Sequence, residues 1–412
     1  MTHASVLIIG AGVAGLSCAR YLHQRGIAST ILEASDHVGG RVRTDHVEGF
    51  RLDRGFQILL TAYPEAWRLL DYEALDLKTF VSGAQIRLPE GLTTLANPFD
   101  GGSVWEALRA PVGSLDDKLR LLRHIWQVED VPDEEFFRQP GTSTAAYLRE
   151  FGYSEEMLTR FFQPFFGGVF LEADTLDTSS SFFRFVFKQF YKGQAVLPAA
   201  GMQAIPDQLA AGLPPGTVRT GVRVRHVENT RVTLHDGSTL DAGAVVLAVD
   251  AAAAERLLGT EPARPFHATT CTYFAAPRSP LAGSRLLVLN PDRQSVVHNL
   301  CVPSDVAPAY APDGQALVSV STQGLDVVDG TRLAERIRQE LSTWFGPEVR
   351  QWRYLRTYHL PEALPHYGPR TGLRALKLGT DLYQCGDQTA YPSLNAALGT
   401  GRRVAELVAG GL

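Results

Sequence analysis

Cysteine is scarce in this chain: Cys18, Cys271, Cys301 and Cys385 are the four among 412 residues, and no two form a CxxC pair. Thiols so few and so far apart argue against a disulfide scaffold or a zinc site and suit a reducing compartment. Lysine is also rare. Only five of the 39 basic residues are Lys, a skew that reads as genomic composition bias. No run of Lys or Arg exceeds two residues and the net charge is −5, so a nucleic-acid partner has no electrostatic footprint. Long apolar runs are missing too. "VLIIGAGVAGL" near the start is broken by glycines and too short to span a bilayer, and no charged-then-apolar leader precedes it. A cytoplasmic protein is expected. HExxH, GxSxG and Walker A motifs are absent and the eleven histidines have no metal-ligand spacing, so no metal is expected.

Glycine, by contrast, is plentiful and well placed. "SVLIIGAGVAGLSCARYLHQRGIASTILEAS" reads as strand, helix, strand. Val6 to Ile9 form an uninterrupted apolar run, as a parallel strand buried on both faces requires. Gly10-x-Gly12-x-x-Gly15 follows: the first glycine permits the tight turn, the second a close backbone approach to a pyrophosphate, the third close helix–strand packing. The helix to about Arg25 offers free N–H groups and a positive dipole end to that phosphate, with Ala14 also a candidate contact. Glu33, about 20 residues on, is expected to hold ribose hydroxyls. The motif implies a dinucleotide without saying which.

"ILEASDHVGGRVRT" narrows the choice. It resembles the superfamily of FAD-dependent amine oxidases, carotenoid (phytoene) desaturases and protoporphyrinogen oxidases, in which a Gly-Gly-Arg follows the Rossmann acid. The resemblance implies FAD, with Gly40 passing close to the nucleotide and Arg41 reaching the pyrophosphate; a guanidinium fork matches phosphate oxygens. "GFRLDRGFQILL" resembles the segment that runs past the flavin ring, so Gly55 and Gln57 are candidates there, while Asp53 is expected to brace the loop. "LPAAGMQAIPDQLA" resembles the return into the FAD domain. A β-meander follows, with a hairpin at Asp236-Gly237; the resemblance puts the backbone of Val224 against the adenine.

"LYQCGDQTAYPSLNAALGTGRRVAELVAG" resembles the superfamily's C-terminal flavin motif. It implies that Gly386 and Asp387 meet the ribityl chain. Ser393 and Leu394 would begin a helix aimed at the flavin edge where negative charge gathers on reduction. Cys385, beside this motif, makes a covalent link conceivable but not favoured. Overall the resemblance, close at both ends and loose between, implies an α/β fold. A Rossmann-type, glutathione-reductase-like FAD-binding domain takes 1–75, 193–262 and 371–412, and a discontinuous α+β substrate (cap) domain takes 76–192 and 263–370.

From about Tyr72 to Lys192 the chain is expected to be Pro-punctuated helix. A further helix is expected from Thr331, with Leu333, Ile337, Leu341 and Trp344 on one side and Gly346-Pro347 ending it. "DDKLRLLRHIWQ" carries Leu119, Leu122, Ile125 and Trp126 at core spacing. Half of the twenty Phe fall between Phe161 and Phe190, too many directions for one core stripe, so one flank is expected to face a pocket. Lys188 and Lys192 flank that cluster and suggest weak peripheral contact with an anionic membrane.

These features point to an oxidoreductase that abstracts hydride from a C–H bond of a small apolar substrate, desaturase-, isomerase- or protoporphyrinogen-oxidase-like. An amine oxidase is the alternative, but that branch uses a lysine near the flavin and none occurs from Gly193 to Ala375. A non-catalytic FAD-binding scaffold is the third reading. Tyr391 and Gln57 are the catalytic candidates, and the electron acceptor is left open.

Overall fold

The computed structural model describes residues 6–96, 112–172, 174–260 and 265–411; the boundary expected near 262 lies outside them. Strand β1 (Val6–Ile9) is buried on both faces and anchors a six-stranded sheet. It pairs in parallel with β2 (Ser29–Leu32) on one side and with Ala244–Leu247 on the other. The sheet extends through Val218–Arg219 beyond β2 and through Leu382–Gln384 and Lys377–Gly379 beyond Ala244–Leu247. Its strands therefore come from three distant stretches of chain. "AVVL" joins the centre because all four residues are apolar and buried. Helix α1 (Val13–Gln24) crosses from β1 to β2 and packs against the C-terminal helix, Leu394–Gly411. A Cβ at Gly401 would come within 2.4 Å of the Ala14 carbonyl, so that crossing needs glycine.

A seven-stranded sheet forms the second layer, in the order 353–365, 266–276, 316–323, 299–301, 287–289, 83–88, 91–96. Alternation assigns its two faces. Phe274, Val318 and Val320 pack on the helix Gly330–Phe345 through Leu333, Ile337 and Leu341, as the helical spacing predicts. Cys271, Tyr273 and Leu317 face the principal core.

The hairpin 83–96 corrects the expectation that the stretch from Tyr72 onward is helical. Ala84, Ile86 and Leu88 alternate with half-buried neighbours, a period-2 pattern, and Gly91 (φ 137°) makes the turn. A second correction concerns Leu115–Glu129. It is a helix, but Leu119 (56% exposed) and Trp126 (73%) face outward while Asp117, His124 and Val128 are buried. His124 sits among the rings of Tyr147, Phe151, Tyr153, Phe183 and Phe187. Tyr147 and Tyr153 hydroxyls lie 3.0 and 3.3 Å from its nitrogens, which lets an imidazole occupy the core side in place of a leucine.

Candidate active site

The turn after β1 is built from contact distances. Gly10 has φ 103°, and a Cβ there would come within 2.7 Å of the Ala248 carbonyl; one at Gly15 would lie 2.1 Å from the Gly10 carbonyl. A Cβ at Gly12, the residue before α1, meets nothing within 4 Å, so the space beside it is open. The α1 N-terminus has neither a side-chain cap nor an acidic residue in its first turn. Ala14 is buried there against Gly401.

The "HVGGRVRT" loop folds back onto this turn. The Gly39 N–H donates to the Ala11 carbonyl at 2.9 Å, and Gly40 approaches the Gly12 Cα. Glu33, just past β2, accepts from the Ala11 N–H at 2.7 Å and the Ser35 N–H at 2.8 Å, one bond on each oxygen. Both oxygens keep acceptor capacity for a further donor. The Val222 N–H donates to the Glu33 carbonyl, which brings the start of the meander, including half-buried Val224, to the same end of the sheet.

Arg41 joins the two ends of the chain. Its guanidinium donates to Asp387 Oδ1 at 2.5 Å and to the Ala363 carbonyl at 3.0 Å. Gln57 Nε2 donates to the Arg41 and Arg54 carbonyls. Gly55 (φ 89°) lies against Leu360 of the strand 353–365. Asp387 follows Gly386 (φ 135°), whose N–H donates to Thr400 Oγ1. Ser393 accepts from the Ala396 N–H and caps the C-terminal helix, which has no acid in its first turn. The structure thus links the glycine turn, Glu33, Gly40 and the start of the meander near Val224 by direct contacts, and through Arg41 it joins that group to Gln57 and Asp387.

Asp53 is a brace, as expected. Its carboxylate accepts from Thr44 Oγ1 (2.5 Å), the Met202 N–H (3.0 Å) and the Tyr310 hydroxyl (2.8 Å), and its carbonyl from the Tyr273 hydroxyl. Burial pushes its pKa up to about 6.

Beside Ser393, half-buried Tyr391 lies face to face with Phe137, 4.3 Å between ring centres and 2° from parallel. Phe185 (4.9 Å) and Phe182 (5.7 Å) back it, and its hydroxyl accepts from Asn395. The flank of the Ser180–Lys192 helix that carries Phe182 and Phe185 packs on Tyr391, but both rings are buried (2% and 0% exposed), which corrects the expectation that this flank faces a pocket. Lys188 corrects the membrane reading: it is buried, with Nζ 2.8 Å from Asp133 and 2.6 Å from the Val131 carbonyl. Sequence reasoning missed Phe137, which lies in a short 3-10 helix with no periodic signal, and Asn395. It also missed Gly401, although "GTG" inside a helix is a mark of close packing.

The sequence matches a known family. The profile of the flavin containing amine oxidoreductases fits residues 13–409. The chain belongs to that family. That family is one of flavin-containing oxidoreductases. Coproporphyrinogen III oxidase of Propionibacterium freudenreichii subsp. freudenreichii is 24% identical over 176 residues, 41% of this chain and 32% of that protein. Polyamine oxidase 2 of Arabidopsis thaliana is 27% identical over 262 residues, 60% of this chain and 50% of that one. The chain thus spans a third to a half of the length of these relatives. The solved structure of wild-type putrescine oxidase bound to putrescine shares the fold, with a TM-score of 0.73, 16% identity and 99% of both chains covered. FAD fits the residues present: an uncapped helix N-terminus behind an open glycine turn, an acid with spare acceptor capacity, and a guanidinium suited to a diphosphate. Among the described residues no helix is long and apolar enough to cross a membrane.

Proposed function

We propose that this flavoprotein takes a hydride from a C–H bond of a largely apolar organic substrate, in the manner of desaturases and porphyrinogen oxidases. Bound FAD supplies the two-electron acceptor. Gly10, Gly12, Ala14, Gly15, Gly40 and Arg41 would hold its pyrophosphate, Glu33 its ribose and Val224 its adenine. Asp387 with Gly386 would take the ribityl chain. Ser393 and Leu394 would present the helix N-terminus to the flavin, and Gly55 and Gln57 would lie beside its ring. Burial pushes the Cys385 thiol up to about 12, which disfavours the thiolate that a covalent link requires.

The observation that carries the apolar reading is the half-buried Phe137–Tyr391 stack beside the C-terminal flavin motif, backed by the buried rings of Phe182 and Phe185. The task of the stack is to orient the substrate and exclude water. The strand Phe266–Ala276, where amine oxidases carry their lysine, has none. The exposed Leu115, Leu119 and Trp126 support weak peripheral membrane contact through that helix instead of through Lys188.

The amine reading is the alternative, since a half-buried aromatic pair such as Phe137–Tyr391 is also a surface that an ammonium group can approach. Anaerobic flavin bleaching separates the two. A carotene or porphyrinogen in detergent is expected to bleach the flavin band, while putrescine and spermidine leave it. Rapid bleaching by a polyamine alone overturns the apolar reading.

A further inference from the structure

Glu172, His267 and His366 come from three distant segments, yet their ligand atoms all lie within 4.8 Å of one another. Glu172 ends the helix-rich stretch after Gln163–Phe170, His267 opens the strand Phe266–Ala276, and His366 follows the strand Arg353–Pro365. His366 Nδ1 is 3.1 Å from His267 Nε2, and His267 Nε2 is 3.6 Å from Glu172 Oε1. We propose that these three side chains bind one zinc ion.

The distances carry the argument. Zinc bonds of about 2.0–2.1 Å in a tetrahedron put neighbouring ligand atoms about 3.3 Å apart, between the two separations found here. A plain N–H···N bond accounts for the two rings, but 3.6 Å from His267 to a buried carboxylate is too long for a hydrogen bond. A cation between the three atoms satisfies both separations and neutralises the carboxylate.

The surroundings are those of ligands held in advance. Glu172 is 5% exposed, and its two oxygens accept from the Thr178 hydroxyl (2.8 Å) and N–H (3.1 Å), which fixes the carboxylate plane. His366 is turned by its neighbour: a Cβ at residue 368 would lie 2.8 Å from His366 Nε2, so Gly368 gives the ring room to aim Nδ1 at His267. The His366 N–H also donates to the Pro265 carbonyl, tying the two strand ends together. Three protein ligands leave a fourth position for water. The ion would clamp three segments next to Tyr367, whose ring packs on Phe182 at 5.9 Å. Spacing hid the site, because the histidines are 99 positions apart.

The test uses the FAD-loaded enzyme after dialysis against EDTA. Zinc titrated by calorimetry is expected to bind at one ion per chain and to raise the melting temperature. Cobalt at the same stoichiometry is expected to give the visible bands of a tetrahedral N/O site. His366→Ala and His267→Ala should abolish both, Glu172→Gln should weaken binding at least tenfold, and Thr178→Ala about 10–100-fold. Retained flavin absorbance reports folding; if His366→Ala loses it, His366→Gln replaces it. Absence of saturable zinc binding in the parent overturns the proposal and leaves a hydrogen-bonded histidine pair. Zinc bound equally by parent and variants overturns it as well, since the ion then sits elsewhere.

Discussion

Arg41 and Asp387, 346 positions apart in the chain, are joined by a 2.5 Å hydrogen bond. Asp387 has 6% of its side chain exposed and Arg41 40%, so the pair is half-screened by solvent. Arg41→Ala leaves a nearly buried carboxylate without its strongest donor. It should cost about 1–3 kcal/mol in chemical denaturation and lower the FAD content. Asp387→Ala should keep FAD near the parental level but slow flavin reduction. The double variant should be less destabilised than the two singles together; strict additivity in that cycle would show that the ion pair contributes nothing to the folded protein.

Glu33 has a structural duty beside its expected ribose contact. Because it accepts the Ala11 and Ser35 N–H groups, Glu33→Ala should lower the melting temperature of the protein as well as its flavin content. Each lost bond runs to a charged carboxylate and is worth about 1.5–3 kcal/mol. Glu33→Gln keeps one carbonyl acceptor and should recover part of the stability but little of the FAD affinity. A Glu33→Ala protein that melts with the parent once both are stripped of flavin would contradict this.

Asp53 gives a pH signature. Its folded pKa near 6 stands above the ordinary 3.8, so between those values the native state holds more proton than the unfolded chain. Stability therefore falls as pH rises from about 4 to 6 and is level above, by up to about 3 kcal/mol from this residue. Asp53→Asn should flatten that slope relative to the parent. Parallel stability curves for the two proteins from pH 4 to 7 would show that Asp53 titrates normally.

Much of this was legible in the sequence where local chemistry dictates local structure. Gly10 and Gly15 are demanded by contacts with Ala248 and with each other, and the β1–α1–β2 unit follows from burial and spacing within one short stretch. The helix 330–345 was equally plain, since its apolar face meets one sheet. The helix 115–129 misled because its partner face is aromatic: His124 satisfies two tyrosine hydroxyls there, and Trp126 is left outside. Lys188 misled because charge was read without its partner Asp133, which only the fold brings near. Phe137, Asn395 and the Glu172–His267–His366 group depend on long-range meeting of segments, and nothing local marks them.

The aromatic residues divide into two kinds that mutation can separate. Phe166 is 2% exposed and wedged between Phe162, Phe170 and Phe183, so Phe166→Ala should cost about 3–5 kcal/mol, with activity falling in step with folding. Phe137 and Tyr391 are half-buried and stacked on each other, with Phe185 behind both. Phe137→Leu should cost far less stability, because part of the ring already meets solvent. Tyr391→Phe removes one hydrogen bond to Asn395, worth about 0.5–1.5 kcal/mol, and keeps the stack. Both should leave FAD bound while raising KM or lowering kcat for an apolar substrate. If either variant turned over that substrate at the parental rate, the Phe137–Tyr391 wall would not face it. If Phe137→Leu instead lost as much stability as Phe166→Ala, the wall would be core, and the substrate would have to approach the flavin from another side.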